Sequence, residues 1–370
     1  MNWQFLNRLP GFQVLDLYII KKFLGTFFFA ITLLMFITII FDLSEKLDEF
    51  MEHSAPVKAI VFDYFLNFIP YFAALIAPLF TFISVIFFTS KLAYNTEFIA
   101  ILSSGVSFGR ILVPYFIAAF VIVVLNIYIN NHVIPHSNEE RFAFEDKYYH
   151  GSVAGFADRN VHKQIEPGIF VFLESYSTVN DYGRKFSIEH FEEGELKSKL
   201  IAQDIRWDSV KNKWILRNYM IRDYIDGKQI ITTGTSIDTT LNMTTAEFKR
   251  RQNSIEAMDK RELNDFIDNQ VLQGATQISA LYIEKYRRFA DPFSTFILTL
   301  IGVSVSSRKV RGGIGMHIAL GLLMSVSYLV FQKFSSQFAI SGMFPPLVAV
   351  WIPNVLFSGL ALFLYRSAPK

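Results

Sequence analysis

Six separate runs of apolar residues, each too long to hide in one soluble core, constrain this chain more than any other feature. They cover residues 23–41, about 64–89, 111–130, about 292–306, 314–334 and 347–365. About 20 apolar helical residues cross the roughly 30 Å of hydrocarbon in a bilayer. The runs are therefore expected to be membrane spans, three before a long polar block and three after it. Charge is divided the same way: 22 of the 35 Lys and Arg and 24 of the 33 Asp and Glu lie between residues 131 and 290. With 52% hydrophobic residues and 39 Phe overall, the two ends belong in lipid and the middle in water. The expected divisions are residues 1–130, 131–290 and 291–370.

The fourth run is short, and its helix is expected to begin before Asp291. The second carries Pro70 and Pro78 and is expected to kink, which neighbouring helices tolerate by satisfying the freed carbonyls. Before it, Lys58, Asp63 and Asn67 are mixed with apolar residues, as in an interfacial approach. The first run is expected to be a retained anchor. It is too long for a cleaved leader, and no small-x-small site precedes the acidic stretch from Asp42 to Glu52.

Orientation follows from basic residues in short loops. Arg8, Lys21 and Lys22 precede span one; Lys91 and Arg110 lie between spans two and three. Arg308, Lys309 and Arg311 lie between spans four and five, and Arg366 and Lys370 at the end. The alternate connections hold only Lys46 and Lys58 or no basic residue. Both termini are thus expected in the cytoplasm, and the polar block, after an odd number of spans, outside.

Within that block the apolar period becomes two from Gly168 onward. Residues 168–177, 184–193, 197–208, 214–226 and 228–241 are rich in Phe, Tyr, Ile, Val and Trp and separated by turn-forming pieces at 179–183, 193–194, 208–213 and 226–227. Five or more strands without intervening helices imply an antiparallel sandwich, barrel or jelly roll. Leu263, Phe266, Ile267 and Val271 have helical spacing, predicting a helix over 259–273, and a second over 278–289 leads back to the membrane.

Several function classes drop out. A net charge of +2 with no concentrated basic surplus excludes a nucleic-acid partner. The absence of Cys removes disulfide, thiol and Cys-ligated zinc chemistry. There is no GxxxxGK[ST] phosphate loop, no HExxH and no GxSxG elbow. His132 and His136 are spoiled as a helical metal pair by Pro135, and Glu139/Glu140 and Glu192/Glu193 sit in solvated polar runs. With no acid, base or nucleophile cluster evident inside the spans, neither an enzyme nor a metal or cofactor site is expected. Transport or scaffolding remains.

Between spans two and three runs Lys91-Leu-Ala-Tyr-Asn-Thr-Glu-Phe-Ile-Ala-Ile-Leu-Ser-Ser-Gly105. Asn95 or Thr96 is placed to cap a short helix with Glu97 in its first turn, favourable against the helix dipole, and Gly105 suits a left-handed stop. Phe98, Ile101 and Leu102 fall on one side. Such a helix, about 95–105, either docks on a cytosolic partner or is an inert linker.

This segment resembles the coupling helix of the lipopolysaccharide-export permeases, the LptF/LptG family, with its Glu near the start, Ala100 and Gly105. Further resemblances run along the chain. Val14-Leu15-Asp16-x-Tyr18-Ile19 is similar to the family's amino-terminal Leu-Asp-Arg-Tyr-Ile, and Val133-Ile134-Pro135 to the exit from span three. Gly342-Met-Phe-Pro345-Pro346 with Ile352-Pro353 is similar to the run opening the last span. The Pro-Pro and Leu-Asp-x-Tyr pieces stand nearer the LptG branch.

The resemblance implies an α-helical membrane protein of six transmembrane helices, three plus three, with an inserted periplasmic antiparallel β-jelly roll. It implies a half-permease of an ABC-type exporter in the bacterial inner membrane. Its partners would be a cytosolic ATPase dimer, a second half-permease (paralogue or self), a periplasmic bridge protein and lipopolysaccharide. Asn95, Thr96, Glu97, Phe98, Ala100, Ile101 and Gly105 would form the coupling helix. At the outer end of span one, where family members often carry a basic residue, this chain has Asp42-Leu-Ser-Glu45-Lys46, with Lys46 shifted by one place.

Basic residues outside need a reason, since orientation does not require them. Lys46, Arg287, Arg288 and Lys333 are expected to hold the phosphates of an anionic glycolipid by charge-assisted hydrogen bonds. Phe170, Phe172, Ile215, Tyr219 and Ile221 are expected to line a slide for acyl chains. The alternatives are a permease for another lipid or a lipoprotein, and a membrane-anchored sensor. A sensor needs an output module, and after Tyr365 the sequence has only Arg-Ser-Ala-Pro-Lys.

Overall fold

The computed structural model describes residues 13–148, 158–177, 181–209, 211–225, 228–241, 243, 245, 252–272, 278–308 and 313–368. Arg8, Lys309, Arg311 and Lys370, residues 179–180 of the expected turn at 179–183, and the expected turn at 226–227 lie outside the described residues.

Among the described residues six helices are long and apolar enough to cross a membrane, and each contains one of the six apolar runs: α1 (Val14–Glu52), α2 (Val57–Tyr94), α4 (Phe108–Tyr148), α6 (Ile278–Ser306), α7 (Gly313–Ile340) and α8 (Pro346–Ser367). A short helix, α3 (Glu97–Ser103), lies between α2 and α4, and α5 (Lys260–Leu272) precedes α6. The fourth span does begin before Asp291, as part of one helix from Ile278. Single π-helical segments interrupt α2 at Ile60–Phe65 and α4 at Ile129–Val133. Nothing in the apolar pattern marks them.

The chain packs as two units. One comprises Met1–Leu47, Val61–Asn138 and Ser279–Lys370. Its main core joins Ile19, Ile20 and Phe23 of α1 to Val85, Phe88 and Leu92 of α2 and to Ile111, Leu112 and Tyr115 of α4. Where α6 crosses α2, a Cβ on Gly302 would meet Val85 Cγ1 at 2.8 Å, so only glycine permits that approach. Polar side chains tie α7 to its neighbours. Gln332 donates to Asp291 Oδ1 of α6, and Tyr328 donates to Asn354 Oδ1 of α8 at 2.9 Å. Ser335 donates to the carbonyl of Ala349, the oxygen that Pro353 leaves without a helical donor. Burial divides the spans: 50–61% of the apolar window is buried in α2, α4 and α6, against 22–28% in α1, α7 and α8.

The other unit comprises Asp48–Ile60 and Glu139–Ile278. It holds a six-stranded antiparallel sheet inserted between the third and fourth spans: β1 (Asp158–Glu166), β2 (Ile169–Ser177), β3 (Tyr182–Glu192), β4 (Glu195–Asp208), β5 (Lys213–Ile225) and β6 (Lys228–Thr239). Each strand pairs with its sequence neighbour, so the expected antiparallel insertion is built as an up-and-down meander. One face is a core of Leu173, Phe186, Ala202, Ile205, Trp214 and Leu216. Trp214 Nε1 donates to the carbonyl of Met243 at 3.0 Å. Tyr176 donates to Asp181 at 3.1 Å, and burial beside that carboxylate raises the phenol's pKa well above its ordinary value, keeping it a donor. The two edge strands differ. β1 is crowded with charge, whereas β6 carries only Lys228 and Asp238 and is mostly exposed.

Candidate functional site

The end of the bundle holding the first turn of α1 carries a compact site around α3. Phe98 is fully buried and anchors α3 to the bundle, its ring meeting Phe108 of α4 edge-on at 6.1 Å, while Phe108 meets Tyr365 of α8 at 5.8 Å. Ile101 and Leu102 pack half-buried on the same cluster. Burying a Phe of this kind contributes about 2–3 kcal/mol, enough to hold a helix of 7 residues that would not form alone. Ile99 (45% exposed) and Ala100 face outward on the opposite side.

The entry to α3 differs from the expected cap. Thr96 occupies the N-cap position, but its backbone is left-handed (φ 62°) and its hydroxyl donates to the carbonyl of Asn95 at 2.6 Å. Asn95 instead donates to Glu97 Oε1 at 3.1 Å, fixing that carboxylate at the corner between α2 and α3. Neither side chain caps the helix. At the other end Gly105 is left-handed (φ 88°) and its N–H donates to the carbonyl of Leu102, the expected stop.

Beside α3, Arg110 of α4 grips Asp16 of α1 with two hydrogen bonds of 2.7 and 2.6 Å. Sequence reasoning used Arg110 only for orientation and Asp16 only as part of a motif. The signal available was a lone acid in the first turn of a long apolar helix.

The expected headgroup residues are not gathered as free cations. Lys46 pairs with Asp42 at 3.0 Å and donates to the Tyr64 hydroxyl, which itself donates to Asp42 at 2.8 Å. Arg287 pairs with Asp291 at 2.9 Å and the buried Arg288 with Glu284 at 3.2 Å. Lys333 is exposed, between the exposed Phe331 and Phe334. The Arg287–Asp291–Gln332 group corrects the expectation of no acid–base cluster in the spans. Its signal was the i,i+4 spacing of Arg287 and Asp291 just ahead of the fourth run.

Strand register separates the expected acyl-chain residues onto two faces. Tyr219 lies opposite Ala202 and Ile221 opposite Leu200, on the core face. Phe172 lies opposite Ser187 and Phe170 opposite Glu189, on the other face, as does Ile215 between the buried Trp214 and Leu216. On the core face Leu173, Phe186 and Leu216 are fully buried, whereas the row Ile188, Leu200 and Ile221 is only half-buried. That row is an apolar trough left partly open. Ile188 and Leu200 were missed because alternation shows that a face is apolar, not which end of it is covered.

A family model described as "Lipopolysaccharide export system permease LptF/LptG" matches residues 17–367, nearly the whole chain and both branches of the family together. No curated protein matches.

Proposed function

Because the chain belongs to the LptF/LptG family of lipopolysaccharide export system permeases, we propose that it forms half the membrane path of an ATP-driven exporter. In this reading the exporter lifts lipopolysaccharide from the bacterial inner membrane. A cytosolic ATPase dimer docks on α3, and a second half-permease, a paralogue or another copy, pairs through the least buried spans. A periplasmic bridge protein receives the cargo from the β-domain. The chain contributes no catalysis of its own.

The observation that carries this reading is α3: anchored by Phe98 into a cluster shared with α1, α2 and α4, yet presenting Ile99 and Ala100 outward. A short helix so seated passes a push to three spans at once. Lys21, Lys22, Lys91 and Arg110 at the same end support a cytoplasmic position for it. Residues 131–290, reached after three spans, are then periplasmic and both termini cytoplasmic.

For the cargo, Lys333 offers an exposed ammonium to lipid phosphates, while Lys46, Arg287 and Arg288 are held in place by acids that a phosphate would have to replace. Such contacts release cargo as readily as they hold it. The half-buried row of Ile188, Leu200 and Ile221, with Tyr219, accepts acyl chains. The lightly charged open edge of β6 suits strand addition by the bridge.

Co-purification tests the core of the reading. The tagged chain should bring down a cytosolic ATPase, and Glu97→Lys or the helix-breaking Ala100→Pro should release it. A chain isolated without any ATPase, or one that keeps it through both changes, overturns the proposal. Photocrosslinking from position 333 tests the cargo: labelling of phospholipid alone during ATP turnover would remove Lys333 from the path.

A further inference from the structure

Asp16 and Arg110 stand 94 positions apart in sequence and meet as a two-pronged ion pair, Nη1 to Oδ1 and Nη2 to Oδ2. Asp16 is 3% exposed and accepts a third hydrogen bond from the backbone N–H of Gln13 at 2.8 Å. Its carboxylate therefore fixes the first turn of α1 and, through the guanidinium, the first turn of α4. Arg110 belongs to the cap of α4, since its backbone N–H donates to Ser107 Oγ. Only Ser104, Gly105 and Val106 separate that cap from α3. A rigid route thus runs from α3 through a capped helix start and a planar fork to α1.

The rest of α1 is attached differently. Ile19, Ile20 and Phe23 share the cluster that seats Phe98, but Phe28, Phe29, Leu33 and Phe36 are exposed. Among the described residues the next polar hold to another helix is at Asp42, which accepts from Tyr64 of α2 at 2.8 Å, about 39 Å further along at ~1.5 Å per residue. Between these two holds α1 is packed along one stripe, through Phe27, Ile31 and Met35, and a helix fixed near its two ends moves as a rod when one end is displaced. An Arg–carboxylate fork fixes distance and plane together, which a Lys or a neutral amide does not.

We propose that the Asp16–Arg110 fork is a joint that carries displacement of α3 into α1, beside the apolar cluster the two helices share. Both are positioning residues, touching neither nucleotide nor cargo. The inference rests on the functional reading above, in which α3 is where a motor docks.

The experiment uses the complete complex in proteoliposomes and reads lipid delivered per ATP hydrolysed, along with the amount of complex assembled. Asp16→Asn should keep ATP hydrolysis while the delivery ratio falls about tenfold, the weight of one charge-assisted bond. The exchange Asp16→Arg with Arg110→Asp should restore most of it. Should Asp16→Asn fail to assemble, Arg110→Lys, which keeps the charge but not the fork, should show the same fall. An unchanged ratio in whichever single variant assembles, or an exchange no better than the single changes, overturns the proposal: a merely structural bond would lower the amount of complex and leave the ratio alone. If the unaltered chain binds no ATPase, the functional reading fails first and takes this inference with it.

Discussion

The hydroxyl of Ser335 on α7 donates to the carbonyl oxygen of Ala349 on α8. Pro353, four residues on, has no N–H to give that oxygen, so one span repairs a defect in the next. Ser335 is 4% exposed, and in lipid no water replaces a lost donor. Ser335→Ala is expected to cost about 1–2 kcal/mol, seen as a lower unfolding midpoint in detergent. Adding Pro353→Ala returns the N–H, so the double variant should be more stable than the Ser335 change alone. Simple additivity of the two losses would show that the hydroxyl has another role.

Thr96 gives a prediction of opposite sign. A β-branched residue held left-handed costs about 1–2 kcal/mol, which glycine avoids while losing some of the gain to chain entropy. Thr96→Gly should stabilise the chain by about 0.5–1 kcal/mol in thermal unfolding. Thr96→Val, which keeps the branch and deletes the bond to Asn95, should not.

Removing the anchor of α3 should free the helix without changing its outward face. Phe98→Ala is expected to cost about 3–5 kcal/mol locally, raising hydrogen exchange over residues 97–103 and weakening ATPase capture. If exchange rises and capture does not fall, the partner holds the chain elsewhere.

The two faces of the sheet make separable claims. Leu200→Asp or Ile221→Asp places a charge in the half-open trough and should cut lipid transfer to the bridge about tenfold or more, since a buried carboxylate is costly beside acyl chains. Phe172→Asp, on the opposite face, should leave transfer near normal, with near-ultraviolet circular dichroism confirming a folded domain in all three. The reverse pattern would move the path to the Phe170–Phe172 face.

The six spans were legible because lipid leaves a plain mark: a run of apolar side chains long enough to cross. What the runs did not give were the ends. The acids Glu45, Asp48, Glu49 and Glu52 look like an exit from the membrane, yet α1 continues helically through them, because the helix there no longer needs lipid. β1 escaped notice for a related reason. As an edge strand it needs few apolar side chains, and Asp158-Arg-Asn-Val-His-Lys-Gln-Ile-Glu166 alternates poorly. The pairs that bind helix to helix (Asp16 with Arg110, Gln332 with Asp291, Tyr64 with Asp42) join positions far apart in sequence. Each residue alone gives no hint of its partner. The short helix could be located from composition, but not its left-handed corner, since Asn95 and Thr96 both look like ordinary caps.

The uneven burial of the spans bears on how two such subunits would hold together. Between helices immersed in acyl chains there is no water to expel, and tight union depends on small residues that let backbones touch. Apart from Gly25 and Thr32, the uncovered side of α1 offers Phe28, Phe29, Leu33, Phe36 and Phe41. A seam made of such bulky, yielding rings adheres weakly and fills gaps of changing shape. It would part for a guest of several fatty tails and knit again after its departure, with little work done against either state.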